Sequence, residues 1–261
     1  MRWVFAYDPA SASATVSAPT SEQSPDALAV NVVLRSGASL GRPWRGAAAA
    51  TSKSVDFTMG SSITPEYVAV MGANYSDDAE PKFYFRHQGA PGRTLVATLE
   101  KCEPANVWIA AVTGGNSGTN WSYTVDDASA PADGLATPLI VFGALSEIQI
   151  GDLGRPTRAP VALDPSTIVR GQLGAAFACE QERQFRQAFA ITGHELDDGM
   201  ATLRALWAWA GKSRPVLSCL DLDDATAWGA TNFGLLEADL ALATEPGMVS
   251  SGNVSILEVV G

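Results

Sequence analysis

The chain has 261 residues, 46% of them hydrophobic and 17% charged, with a formal net charge of −11. That length and composition describe a folded protein with room for one large or two medium domains, and they exclude a disordered polymer. The acidic balance argues against a phosphate backbone as direct partner, and no apolar run approaches a membrane span, so neither nucleic-acid binding nor membrane insertion is expected.

Met1–Tyr7 reads as a first strand and Ala10–Pro25, rich in Ala, Ser, Thr and Pro, as an extended segment. Ala27–Leu34 follows as a strand, then a loop carrying Arg42, Trp44 and Arg45. In Ser54–Met59 the apolar Val55, Phe57 and Met59 alternate with Asp56 and Thr58, the pattern of a half-buried strand. Tyr67–Gly72 is a continuous apolar run, and Lys82–His87, Thr94–Leu99, Val107–Val112, Trp121–Val125, Leu139–Phe142 and Glu147–Ile150 continue the series between turn-rich gaps. Strands at this spacing predict a jelly-roll or sandwich over residues 1–152. The Gly- and Pro-dense stretch Gly151–Pro160 marks the boundary.

Residues 153–261 predict a sheet with one packed helix. Ser166–Gly171, Ala175–Cys179, Arg183–Ile191, Val216–Leu220, Phe233–Leu242 and Asn253–Val260 read as strands. Leu196, Met200, Leu203, Trp207 and Ala210 recur at helical spacing, so Trp207 is expected in the core. Thr192 and Glu195 fit a capping box, and Gly211 fits a left-handed cap at the other end.

No constellation for catalysis emerges, and no cofactor or metal is called for. Gly37-Ala38-Ser39-Leu40-Gly41 has the spacing of a nucleophile elbow, but no helix follows to aim Ser39, and only His87 and His194 exist to serve it, so it reads as a turn. Asp221, Asp223 and Asp224 lack the calcium-loop pattern and read as a solvated turn, as do Asp77-Asp78 and Asp126-Asp127. Gly114–Gly118 lacks the Lys-Ser/Thr ending of a phosphate loop. Cys102, Cys179 and Cys219 have no paired spacing and read as buried thiols. Trp121 and Tyr123 could form an aromatic sugar platform on a sandwich edge, although aromatics in strands are more often core, and Trp209, off the helix's core stripe, is left for either a second layer or an assembly contact. No basic start leads into an apolar segment, which predicts a chain made and folded in a cytoplasm.

Several stretches together resemble a family of structural proteins from the tail tips of long-tailed bacteriophages and gene-transfer particles. In the first half these are Arg42-Pro43-Trp44-Arg45, Val55–Gly60, Val68–Ser76 with its Ala-Asn turn, and the closing Glu147–Gly151; they look like a galactose-binding-like, discoidin-type sandwich. In the second half they are Pro165–Gly174, Arg214–Leu217, the Asp221/Asp223 turn, Phe233–Leu236 and Glu258-Val259. The resemblance implies a non-enzymatic distal-tail or baseplate protein, located in the virion tail tip. It implies a ring, trimeric or hexameric, formed through a tail-tube-like second domain, with other tail and baseplate proteins as partners. A host-surface glycan bound by the sandwich is the alternative.

Overall fold

A computed structural model describes residues 2–17, 43–45, 50–87, 92–102, 107–149, 161–163, 167–170, 176–179, 184–192, 195–211, 213–219, 231–237, 241–243 and 251–258. Among these the protein is mainly β with one α-helix, as expected. The expected strand at Ala27–Leu34, the Ser39 turn, His194 and the Asp221–Asp224 cluster lie outside the described residues.

The chain begins with β1 (Arg2–Ala6), a 3-10 turn at Ala10–Ser13, β2 (Thr15–Ser17), β3 (Trp44–Arg45), β4 (Ser52–Ile63) and β5 (Tyr67–Met71). It continues with β6 (Glu80–Arg86), β7 (Arg93–Thr98), β8 (Glu100–Cys102), β9 (Val107–Ala111), β10 (Gly118–Asp126), β11 (Ala136–Thr137), β12 (Leu139–Gly143) and β13 (Ser146–Gln149). Then follow β14 (Val161–Leu163), β15 (Thr167–Arg170), β16 (Ala176–Cys179), β17 (Gln184–Thr192) and α1 (Glu195–Ala210). The last strands are β18 (Val216–Cys219), β19 (Asn232–Leu236), β20 (Ala241–Ala243) and β21 (Ser251–Glu258).

Two compact units result, and they do not follow the expected 1–152/153–261 division. One is Ala6–Ser146; the other joins Met1–Phe5 to Glu147–Asp221 and Ala230–Val260. The reason is strand pairing: β1 lies between β13 and β18 in an eight-stranded sheet whose other members come from the end of the chain. The sandwich is thus an insertion within the chain of the second unit.

In the sandwich, a five-stranded sheet ordered β2-β4-β10-β6-β7 faces a four-stranded sheet ordered β12-β5-β9-β8. Every pairing within these two sheets is antiparallel. Residues paired across antiparallel strands share a face, so the register builds a core of layered rows. One row sets Phe57 of β4, Trp121 of β10 and Phe85 of β6 side by side; the next sets Val55, Tyr123 and Phe83. Phe142 of β12 meets this face from the opposing sheet, with its ring 5.0 Å from both Phe57 and Phe83. The expected alternation of Val55, Phe57 and Met59 and the buried run Tyr67–Met71 are both present.

Polar side chains close the edges of this core. Asn74, in the Ala-Asn turn after β5, donates to Gly134 O (3.1 Å) and accepts from Ala136 N (2.6 Å), pinning one loop to another some 60 residues on. Asp127 holds the same turn through Ser76 N (2.9 Å) and Ser76 Oγ (2.6 Å). Lys53, 1% exposed, donates to Trp44 O (2.9 Å) and Leu135 O (2.7 Å) and lies 4.1 Å from the Trp44 ring centroid. It ties the β3–β11 ribbon to β4.

In the second unit the eight-stranded sheet runs β13-β1-β18-β19-β21-β17-β14, with β20 also on β21. The expected single strand Phe233–Leu242 is divided: β19 pairs with the 256–258 end of β21 and β20 with its 251–253 end. Thr192 ends β17 and α1 starts at Glu195; the side chains of the expected capping box lie outside the described set. Gly211 closes the helix in the left-handed region (φ 50), as expected. Among the described side chains of α1, the buried stripe is Leu203, Leu206 and Ala210, at steps of three and four. That stripe is rotated from the expected one and leaves Trp207 37% exposed. No described helix is long and apolar enough to cross a membrane.

Candidate functional site

The aromatic platform expected at Trp121 and Tyr123 does not exist as a surface. Both residues are 0% exposed. Trp121 stacks on Phe83 (5.4 Å between centroids, 6° between planes) and donates from Nε1 to Gly118 O at 3.1 Å. The Tyr123 hydroxyl donates to that of Tyr75 (3.1 Å), which in turn bonds Thr137. Successive side chains of β10 take opposite faces, so Trp121, Tyr123 and Val125 join the core with Ile140 and Phe142 of β12, while Ser122 and Thr124 lie on the other face, also buried. Gly118 is part of the same packing: a Cβ there would sit 2.4 Å from the Phe85 ring. Gly114 and Gly115, both at positive φ, turn the loop that precedes it.

Trp209 is half-buried, with the Arg214 guanidinium 5.3 Å from its ring and Arg214 Nη1 donating to its carbonyl at 3.3 Å. His87 is exposed and hydrogen-bonded to Thr94 Oγ1 (2.9 Å). Cys102 is buried, as expected, and the side chains of Cys179 and Cys219 lie outside the described set.

What the fold does assemble is the outer face of the five-stranded sheet. The register aligns Ser17, Asp56, Ser122, Tyr84 and Leu95 in one row across all five strands. A bulge at Val96 shifts the β6–β7 register and turns Leu95 and Arg93 onto this face beside Tyr84 and Arg86. Arg86 reaches back over the central strand to form an ion pair with Asp56. The Arg93 guanidinium lies over the Tyr84 ring, 4.2 Å from its centroid. Leu95 is 49% exposed, the most exposed large apolar side chain among the described residues.

Beneath the Asp56–Arg86 bridge sits Ser122, 2% exposed, its Oγ without a hydrogen-bond partner among the described residues. The Asp56 carboxyl is raised in pKa, chiefly because burial strips it of water; the charges of Arg86 and Arg93 act in the opposite sense. A carboxylate in that position, with one oxygen on Arg86 and little water, retains strong accepting capacity for hydroxyl donors. The sequence carried a signal for this face in Lys82–His87, where Phe83 and Phe85 alternate with Lys82, Tyr84 and Arg86. The partners Asp56 and Arg93 carried none, because only the sheet register brings them alongside.

No family model and no curated protein matches the chain. Solved structures do match over the sandwich. Chitosan-binding module 1 of a chitosanase/glucanase from Paenibacillus sp. IK-5 is 14% identical with a TM-score of 0.42, covering 53% of this chain and 100% of that one. Module 2 of the same enzyme, solved with chitotriose, is 11% identical with a TM-score of 0.41, covering 51% and 98%. A CBM32 module from Clostridium perfringens, solved with GalNAc-β-1,3-galactose, is 10% identical with a TM-score of 0.40, covering 52% and 98%. At these identities and scores the likeness carries no argument about ligands.

Proposed function

We propose that the protein is a non-catalytic glycan-binding protein whose sandwich unit recognises sugar on the outer face of its five-stranded sheet. The observation that carries this reading is the cluster of Asp56, Arg86, Tyr84, Arg93 and Leu95 on one exposed sheet face. Sugars present adjacent hydroxyls that both donate and accept, set around an apolar ring face. A planar carboxylate and a planar guanidinium, each held in place, suit the hydroxyls. The apolar Leu95 and the edge of Tyr84 suit the ring face. The insertion of the sandwich into the chain of the second unit supports the same reading, since an inserted unit with its own core suits an accessory recognition role.

The test is a glycan array probed with the full chain, its Asp56→Asn variant and its Arg86→Gln variant. Wild type is expected to bind a discrete set of glycans, and each variant to lose about tenfold or more in affinity, as loss of a charged hydrogen-bond partner implies. Because the Asp56–Arg86 pair is partly exposed, thermal melts of the variants should stay close to wild type. An array without binding at high protein concentration, or variants that bind as wild type does, would end this reading.

A second reading, a ring-forming tail-tip or baseplate component, is favoured by one observation. Trp207, 37% exposed on α1, is a large aromatic of the kind enriched at interfaces. On this reading the second unit assembles through α1 or its sheet edges into a trimer or hexamer with other tail proteins as neighbours. Sedimentation at high concentration is expected to show an oligomer that Trp207→Ser dissociates without unfolding; a monomer at all concentrations, with or without tail-tip partners, counts against it.

A further inference from the structure

The outer face of the sandwich carries a charge arrangement that a neutral ligand leaves unbalanced. Arg86 and Arg93 are direct cross-strand partners at the end of the β6–β7 hairpin. Like charges placed directly opposite each other oppose strand pairing. Asp56 is ion-paired to Arg86 and also feels the charge of Arg93. Among the described residues no carboxylate forms an ion pair with Arg93. Lys82, on the same strand as Arg86, is matched by Glu80. The local sum over Asp56, Arg86 and Arg93 is therefore one net positive charge, on a chain whose total is −11. The packing also orients that charge. The Arg93 guanidinium lies over the Tyr84 ring, and a guanidinium stacked on an aromatic face can still donate from its N–H edge. A guanidinium edge presents paired donors that match the oxygens of a carboxylate or sulfate.

We infer that this face takes the carboxylate or sulfate group of an anionic glycan, gripped by Arg93 with Arg86 beside it, while Asp56 accepts from the sugar's hydroxyls. This rests on the glycan reading of the same face and adds the charge class of the ligand. The wider field of an acidic chain repels anions, so the two arginines confine any anion to this position. A neutral sugar satisfies Asp56 alone. An acidic sugar also relieves the repulsion between the opposed arginines.

Two titrations of the full chain test the inference. In the first, the Nε–H signals of Arg86 and Arg93 are followed by NMR during addition of sodium sulfate, with sodium chloride at matched ionic strength as control. Saturating shifts are expected with sulfate and not with chloride, and Arg93→Gln should remove the shift at Arg86 as well. In the second, oligogalacturonate is compared with its methyl ester, which keeps the sugar backbone and removes the charge. Wild type should bind the acid about tenfold more tightly than the ester, one charged hydrogen bond's worth, and Arg93→Gln should bring the ratio to about one.

The absence of a saturating sulfate shift overturns the inference. So does a wild-type chain that binds the ester as tightly as the acid; the glycan reading then stands without it. Saturation by sulfate in a chain that binds no glycan keeps the anion site and removes the glycan reading.

Discussion

Trp121→Ala is expected to lower the unfolding free energy by about 3–5 kcal/mol, the cost typical of emptying a large buried aromatic site. Trp121 is 0% exposed, flanked in register by Phe57 and Phe85, and stacked on Phe83. Its removal leaves a void beneath Phe85, whose ring already lies against Gly118, and strips a donor from Gly118 O. Against a typical stability of about 5–15 kcal/mol, that is a large share. Urea unfolding of wild type, Trp121→Ala and the less drastic Trp121→Phe measures it directly. A surface platform residue would behave in the opposite way, with glycan affinity lost and the midpoint unchanged. Here Trp121→Phe should keep its ligand, and an alanine variant as stable as wild type would remove Trp121 from the core.

The second large effect is the pH dependence set by Lys53. Burial, reinforced by the charge of Arg45, lowers its pKa from 10.5 to about 7. Below pH 7 both folded and unfolded chains carry the proton, and the full cost of burying the charge opposes folding. Between pH 7 and 10.5 the unfolded chain keeps the proton while the folded chain has released it, so stability rises with pH across that window. At about 1.4 kcal/mol per pKa unit, the gain is on the order of a few kcal/mol. The buried hydroxyls of Tyr67, Tyr75 and Tyr123 act in the other direction. Their pKa values are raised by burial, so the unfolded chain ionises first and stability falls above pH 10. Chemical unfolding from pH 6 to 11 should therefore show a rise and then a fall for wild type. Lys53→Met keeps an unbranched apolar stem, one atom shorter, and removes the titrating amine. It should lose the rise while keeping the fall, and should be less stable at pH 9 because Trp44 O and Leu135 O lose their donor. A wild-type profile that is flat or falling from pH 7 to 10 relative to Lys53→Met would show that the amine stays charged inside the fold.

The parts of the fold that local chemistry dictates were legible in the sequence. Alternation placed Val55, Phe57 and Met59 on the core face of β4, the continuous run at Tyr67–Met71 marked a strand buried on both faces, and Gly211 marked the end of the helix. Features set by distant pairing were not. Nothing in Arg2–Ala6 says that it joins a sheet built from the far end of the chain. The two-residue strands β3 and β11 have no periodicity to detect, and Lys53, whose amine bonds carbonyls in or beside each of them, helps hold them together. Trp121 and Tyr123 show how an aromatic pattern misleads when its face is not fixed first: their alternation with Ser122 and Thr124 marks them as interior. In α1, small differences in angle decided the outcome, since Leu206 and Trp207 are neighbours and only one can face the core. The candidate site draws on β4, β6, β7 and β10, and its geometry depends on a bulge at Val96 that no local motif announces.

A crystal structure of the full chain bound to the glycan that binds it most tightly on an array locates the sugar site. The sugar is expected to lie across Asp56, Arg86, Tyr84 and Arg93 on the outer face of the five-stranded sheet, with its hydroxyls on Asp56 and any acidic group on Arg93. A sugar seated elsewhere on the sandwich, or on the eight-stranded unit, with that face bare, would contradict this placement.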